Sequence, residues 1–191
     1  DGDLAIGHTR YSTTGSSMWK NSQPLFRDAG QTQFALAHNG NLVNTVELAE
    51  DAGMLAGTVA SDTEAMAEQI ARACERLEGG DDLLERALIE VLPRFEGAFS
   101  LTLLDRERVI GVRDPHGFRP LCLGKLDSGW VLASETPALD IVGARFVREL
   151  EPGEMVVIDE HGPRSHRPFP VARIDPKLCL FEFVYFARPD S

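Results

Sequence analysis

Helical periodicity occupies one block of this 191-residue chain and strand-like runs another, and that segregation limits the fold more than any other feature. Residues 45–52, 62–78 and 83–92 carry the helical pattern. In the second of these, Met66, Ile70, Ala73 and Leu77 fall on one face. Ser61 with Glu64 three residues on predicts a capping box at its start, and Pro93 ends the third helix. Residues 98–104, 109–112, 121–124, 130–134 and 155–158 then read as short strands parted by Gly, Pro and Asp. Ahead of the helices, residues 4–7 read as a short strand and 8–26 as loop. Residues 34–38 resemble a buried strand ending at Asn39-Gly40, a dipeptide suited to a tight turn. Blocks of this kind predict an α+β fold rather than strict βαβ alternation.

Composition narrows the setting. Thirty acidic against nineteen basic residues give a net charge of -11, with no basic stripe, which argues against nucleic acid and anionic membrane as partners. No apolar run approaches the roughly 18 residues a membrane span requires. Cys74, Cys122 and Cys179 are odd in number and widely spaced, so a reducing, cytoplasmic compartment is expected rather than a disulfide framework. The chain opens inside an apolar phrase and stops just after an aromatic-rich one, which reads as a piece of a longer polypeptide. Cys74 and Cys122 sit in apolar contexts and read as small buried hydrophobes. Trp19 and Trp130 read as packing residues, and His161 and His166 as exposed loop.

Three phrases carry chemistry. Gly7-His8-Thr9-Arg10-Tyr11-Ser12-Thr13 places a guanidinium among hydroxyls beyond a strand end, and Arg suits a carboxylate held by two parallel hydrogen bonds. His38-Asn39-Gly40-Asn41-Leu42 offers a side-chain amide and an unobstructed glycine N–H, the donors of an oxyanion hole; a plain hairpin turn would account for the same residues. Ser61-Asp62-Thr63-Glu64 is a helix start whose Asp could also face a ligand ammonium.

In order, GHTRYST, NSQPL (21–25), AHNGNLVN (37–44) and SDTE (61–64) resemble the class II glutamine amidotransferases. RDPHGFRPL (113–121), LASE (132–135), EPGE (151–154) and FEFVYFARPDS (181–191) are similar to one branch, the glutamine phosphoribosylpyrophosphate amidotransferases. The resemblance implies a four-layer αββα sandwich of the N-terminal-nucleophile hydrolase type, lacking its first strands. Residues 1–175 would be the glutaminase domain and 176–191 the junction to a phosphoribosyltransferase domain.

It further implies that Arg10 holds the glutamine α-carboxylate, Asp62 its α-amino group, and Thr13 lines the pocket, with Asn39 and Gly40 as the oxyanion hole. Cys179 matches a ligand of a [4Fe–4S] cluster in the iron–sulfur branch, its three partner thiolates lying elsewhere. Partners by the same resemblance are glutamine and, through the further domain with its Mg2+, phosphoribosyl pyrophosphate. A homo-oligomer is implied for the full-length protein.

The chain departs from that pattern in one respect: no cysteine precedes position 74, so the nucleophile of the family's reaction is not among these residues. Two other readings follow. One is the glutaminase domain of a glucosamine-6-phosphate synthase, which shares motifs like GHTR, HNG and SDTE; the other is a non-catalytic scaffold that keeps the fold. The RDPHGFRPL segment reads as a rigid structural turn with charges on its rim.

Overall fold

The computed structural model describes residues 2–9, 19–55, 59–180 and 184. Two antiparallel sheets form its centre. The larger has six strands in the order β1 (Leu25–Asp28), β2 (Gln33–Leu42), β3 (Gly97–Leu104), β4 (Val109–Arg113), β8 (Met155–Asp159) and β9 (Gly162–His166). The smaller has β5 (Cys122–Lys125) between β6 (Trp130–Ala133) and β7 (Arg145–Glu149). Helices α1 (Thr45–Asp51), α2 (Asp62–Arg76) and α3 (Leu83–Val91) belong to the block between β2 and β3, and α4 (Thr136–Ile141) to the connection between β6 and β7.

Strand alternation assigns the layers. Phe34, Leu36 and Leu42 of β2, Phe99, Leu101 and Leu103 of β3, Ile110 and Val112 of β4, and Met155 and Val157 of β8 join Met66, Ile70, Leu84 and Leu88 of the helices in one continuous core. The residues between them point the other way. Val156 and Ile158 pack with Leu121, Leu123, Trp130 and Leu132 between the sheets. Cys122, Leu139 and Ala144 form a third cluster under α4. The layers therefore run α, β, β, α, the order the resemblance implies, with a single short helix as the fourth. Gly111 permits the sheets to approach, since a Cβ there would lie 2.6 Å from a Leu132 methyl.

The helices follow their local signals. Ser61 Oγ accepts from Glu64 N–H at 3.2 Å, while the return arm is displaced by one residue, Glu64 Oε2 accepting from Ala60 N–H at 2.8 Å. Helix α2 stops at Arg76, two residues early, because Leu77 turns extended ahead of Gly79-Gly80. Helix α3 tightens into a 3-10 turn at Leu92–Arg94 around Pro93.

Several expectations need correction. Residues 4–7 form no strand, and residues 8–26, read as loop throughout, include a 3-10 turn at Trp19–Asn21 and the start of β1. Asn39-Gly40 is no turn: β2 runs straight through it, with Gly40 paired to Phe99. Trp19 is 89% exposed and is not part of the core among the described residues, whereas Trp130 does pack between the sheets. His166 ends β9 half-buried, its Nε2 3.2 Å from Glu85 of α3, while His161 is exposed as expected. Strands β1, β7 and β9 and helix α4 carry too little apolar periodicity to have been foreseen.

Candidate functional site

The β2 phrase that the sequence singles out lies where the two layers of chemistry meet. Alternation turns Ala37 and Asn39 toward the smaller sheet, where they help line a cleft of about 580 Å3. Its other walls come from residues 3–9, from Ser100 and Thr102 of β3, from β6, and from Glu135 and Ile141 beside and within α4. Asn39 is half-buried, and its side-chain amide makes no hydrogen bond among the described residues, so its donors stay available to the cleft.

Gly40 has a steric reason for its identity. Its φ is 148°, and a Cβ would stand 2.0 Å from the Ala98 carbonyl oxygen and 2.8 Å from Phe99 Cα. The bare backbone lets β2 and β3 close up here.

Asp62, the first residue of α2, reaches the same stretch of β2 from the helix side. Its Oδ2 accepts from Leu42 N–H at 3.1 Å and its Oδ1 from Thr63 N–H at 2.8 Å. His38 Nδ1 lies 3.5 Å from Oδ1. Burial pushes the Asp62 carboxyl up, but the neighbouring His38 ring, with the two backbone N–H groups, outweighs it and holds it below the ordinary aspartate value. The carboxylate is thus an anion at neutral pH. It does not itself line the cleft that Asn39 lines. Arg10 and Thr13 lie outside the described residues.

Three residues beside Asp62 had no assigned role in the sequence. Gln23 Oε1 accepts from His38 N–H at 2.6 Å, and Gln23 Nε2 donates to Thr63 Oγ1 at 3.2 Å. His38 Nδ1 is 3.2 Å from the same hydroxyl. The only signal for Gln23 was its place in the NSQPL phrase.

The downstream motifs are structural hubs, as their turn chemistry suggests. Asp114 is fully buried and accepts from the N–H groups of Phe99, His116 and Arg119 at 3.3, 2.9 and 3.3 Å. Arg113 donates to the carbonyls of Arg119, Gly117 and Leu150. Glu154 takes both arms of Arg148 at 2.7 Å, Ser165 Oγ at 2.6 Å and Glu151 N–H at 2.7 Å. Burial raises the Glu154 carboxyl, and these donors more than offset that, leaving it below its ordinary value.

Of the cysteines, Cys74 and Cys122 are buried as expected, and burial pushes each thiol up to about 11. Cys179 is half-exposed, beyond the 3-10 turn Val171–Arg173. Among the described residues no three His, Cys, Asp or Glu side chains are grouped to hold a metal. By itself Cys179 is one thiolate of the four a [4Fe–4S] cluster needs, so the described residues do not amount to a cluster site.

Comparison with known proteins bears on the whole chain. It is 50% identical over 199 residues to an amidophosphoribosyltransferase of Mycobacterium leprae, a match covering 100% of this chain and 34% of the relative. An amidophosphoribosyltransferase of Synechocystis is 49% identical over 196 residues, covering 100% of this chain and 38% of its own length. The chain thus spans little more than a third of the curated relatives it matches. A solved glutamine phosphoribosylpyrophosphate amidotransferase from B. subtilis, in complex with ADP and GMP, superposes with a TM-score of 0.80 at 36% identity over 96% of this chain and 38% of that one. The glutamine amidotransferase domain family matches residues 8–141. With that match over more than half its length, and with the αββα layers around the Asn39 cleft, the chain belongs to the glutamine amidotransferase domain family.

Proposed function

We propose that this chain is the glutaminase domain of an amidophosphoribosyltransferase, hydrolysing glutamine to deliver ammonia for phosphoribosylamine synthesis in purine biosynthesis. The observation that carries the reading is the Asn39 amide, unpaired among the described residues and facing the inter-sheet cleft, within a chain half identical to amidophosphoribosyltransferases along its entire length. In that reading Asn39 and the Gly40 N–H stabilise the oxyanion that forms when a thiolate attacks the glutamine carboxamide. Asp62 receives the ligand's ammonium, and Arg10 with Thr13 would complete the hold on its carboxylate end.

The thiolate has to come from elsewhere. None of Cys74, Cys122 and Cys179 lines the cleft, and the first two are buried thiols with strongly raised pKa values. Residues 1–191 alone are therefore expected to release no glutamate. Phosphoribosyl pyrophosphate with its Mg2+, a homo-oligomeric assembly and a cytoplasmic setting belong to the same proposal for the full-length protein. So does Cys179 as a [4Fe–4S] ligand. The rival glucosamine-6-phosphate synthase reading lacks a counterpart to the YFARPDS ending.

The test is Asn39→Ala in the full-length protein. Glutamine hydrolysis should fall by roughly 10²–10³ while ammonia-driven synthesis continues. Equal loss of both would make Asn39 a structural residue and remove the oxyanion reading.

A further inference from the structure

The hydrogen bonds around Thr63 all run in one direction, toward Asp62. Gln23 Oε1 accepts from His38 N–H, which fixes the orientation of the amide and turns its NH2 to Thr63 Oγ1. The His38 imidazole is 1% exposed and its Nε2 has no hydrogen-bond partner among the described residues. A buried N–H left without an acceptor is rarer and costlier than a ring lone pair left alone, so the proton sits on Nδ1 and points at Thr63 Oγ1, 3.2 Å away. Two donors then fill the two lone pairs of the threonine hydroxyl. Its own proton is driven to Asp62 Oδ1, at 3.4 Å.

We propose that Gln23, His38 and Thr63 are positioning residues that hold Asp62 as an acceptor-only carboxylate with one lone pair reserved for the ammonium of an amino-acid ligand. A carboxylate offers roughly four lone-pair sites. Leu42 N–H, Thr63 N–H and the Thr63 hydroxyl fill three of them. The Thr63 hydroxyl also acts as a buffer: it takes the His38 donor, which would otherwise compete for Asp62. His38 Nδ1 is already within 3.5 Å of Oδ1, so removing the hydroxyl leaves it that oxygen as its acceptor. The third site would then pass from the hydroxyl to His38, so that Oδ1 is drawn toward β2 and the open site on Oδ2 turns away from the direction in which it is held for the ligand. The proposal rests on the glutaminase reading and sharpens it: selectivity for an α-amino group is set one residue away from the group that binds it.

The experiment uses the full-length protein with Thr63→Val, Thr63→Ser and Gln23→Met. It measures kcat and KM for glutamine and Ki for glutaramate, which carries hydrogen in place of the α-amino group. Thr63→Val should raise the glutamine KM about tenfold, the worth of one charge-assisted hydrogen bond, and leave the glutaramate Ki within about twofold. Thr63→Ser should restore the glutamine KM, and Gln23→Met should shift it in the same direction as Thr63→Val by less. Thermal unfolding of each variant checks that it folds, and the serine and Gln23 variants carry the test if the valine variant does not. Equal weakening of both ligands, or unchanged discrimination in an active protein, overturns the positioning role alone. A wild type that releases no glutamate overturns the glutaminase reading and this proposal with it.

Discussion

The two faces of the six-stranded sheet are built to different ends. Toward the helices, β2, β3, β4 and β8 present Phe, Leu, Ile, Val and Met, nearly all of them fully buried. Toward the smaller sheet β8 presents Val156 and Ile158, which are packed, but β2, β3 and β4 present Ala37, Asn39, Ser100, Thr102 and Gly111, and near β2 and β3 a cleft remains. The first face is packed for stability. On the second, small and polar side chains leave room for a ligand, and the candidate donors lie there. One strand can serve both because its side chains alternate, so the face that carries the candidate donors is stiffened from behind by the core.

The strongest challenge to this contrast is Gly40→Ala. A Cβ 2.0 Å from a backbone carbonyl in a neighbouring strand can be relieved only by separating β2 from β3, and a loss of about 4 kcal/mol or more is expected. Denaturant unfolding near the wild-type midpoint would show that the sheet yields at this point. Next is Phe99→Ala on the packed face. Phe99 is fully buried, edge-on to Phe95 at 6.2 Å and tilted against Phe169 at 6.3 Å, so about 3–5 kcal/mol should be lost.

Glu154→Gln should cost roughly 2 kcal/mol at neutral pH, at the lower end for a buried pair because Arg148 keeps solvent contact. Its pH dependence has a definite sign. The folded carboxyl is held below its ordinary value, so its contribution is present above the unfolded pKa of about 4.3 and is lost as pH falls through the folded one. Acid unfolding of the glutamine variant should therefore show a shallower loss below that point than wild type; parallel curves would remove Glu154 from the acid response. The smallest effect belongs to Ala37→Val on the cleft face, where free volume should keep the change within about 1 kcal/mol. A cost equal to that of Phe99→Ala would mean that the two faces are packed alike.

How much of this was legible from sequence depends on where each signal originates. Helix α2 could be read from Ser61, Glu64 and its apolar face because capping and periodicity are local. Strand β3 and the first half of β2 could be read from their apolar runs between turn residues. By contrast β7 and β9, Arg145–Glu149 and Gly162–His166, are charged or turn-like edge strands whose only reason for being extended is the strand beside them. Asn39-Gly40 had two local meanings, and the choice was made by Gly97 and Ala98 across the ladder. Asn39 and Asp62 each had a plain local reading, a turn and a helix start, and the resemblance their motifs carry set the functional one above it. The link from Gln23 to Thr63 spans forty positions and leaves no trace in either motif.

Gly40 and Gly97 form a reciprocal pair: each sits where a Cβ would strike the other strand, Gly40 against the Ala98 carbonyl and Gly97, at a φ of 140°, against the Asn41 carbonyl. Together they act as a key. Sliding β2 by one residue would bring a side chain to a place that admits none, and the same slip would turn every β2 residue to the opposite face. Asn39 would then point into the helical core and Leu42 into the cleft. Which way the Asn39 amide faces is thus decided by two residues with no side chain.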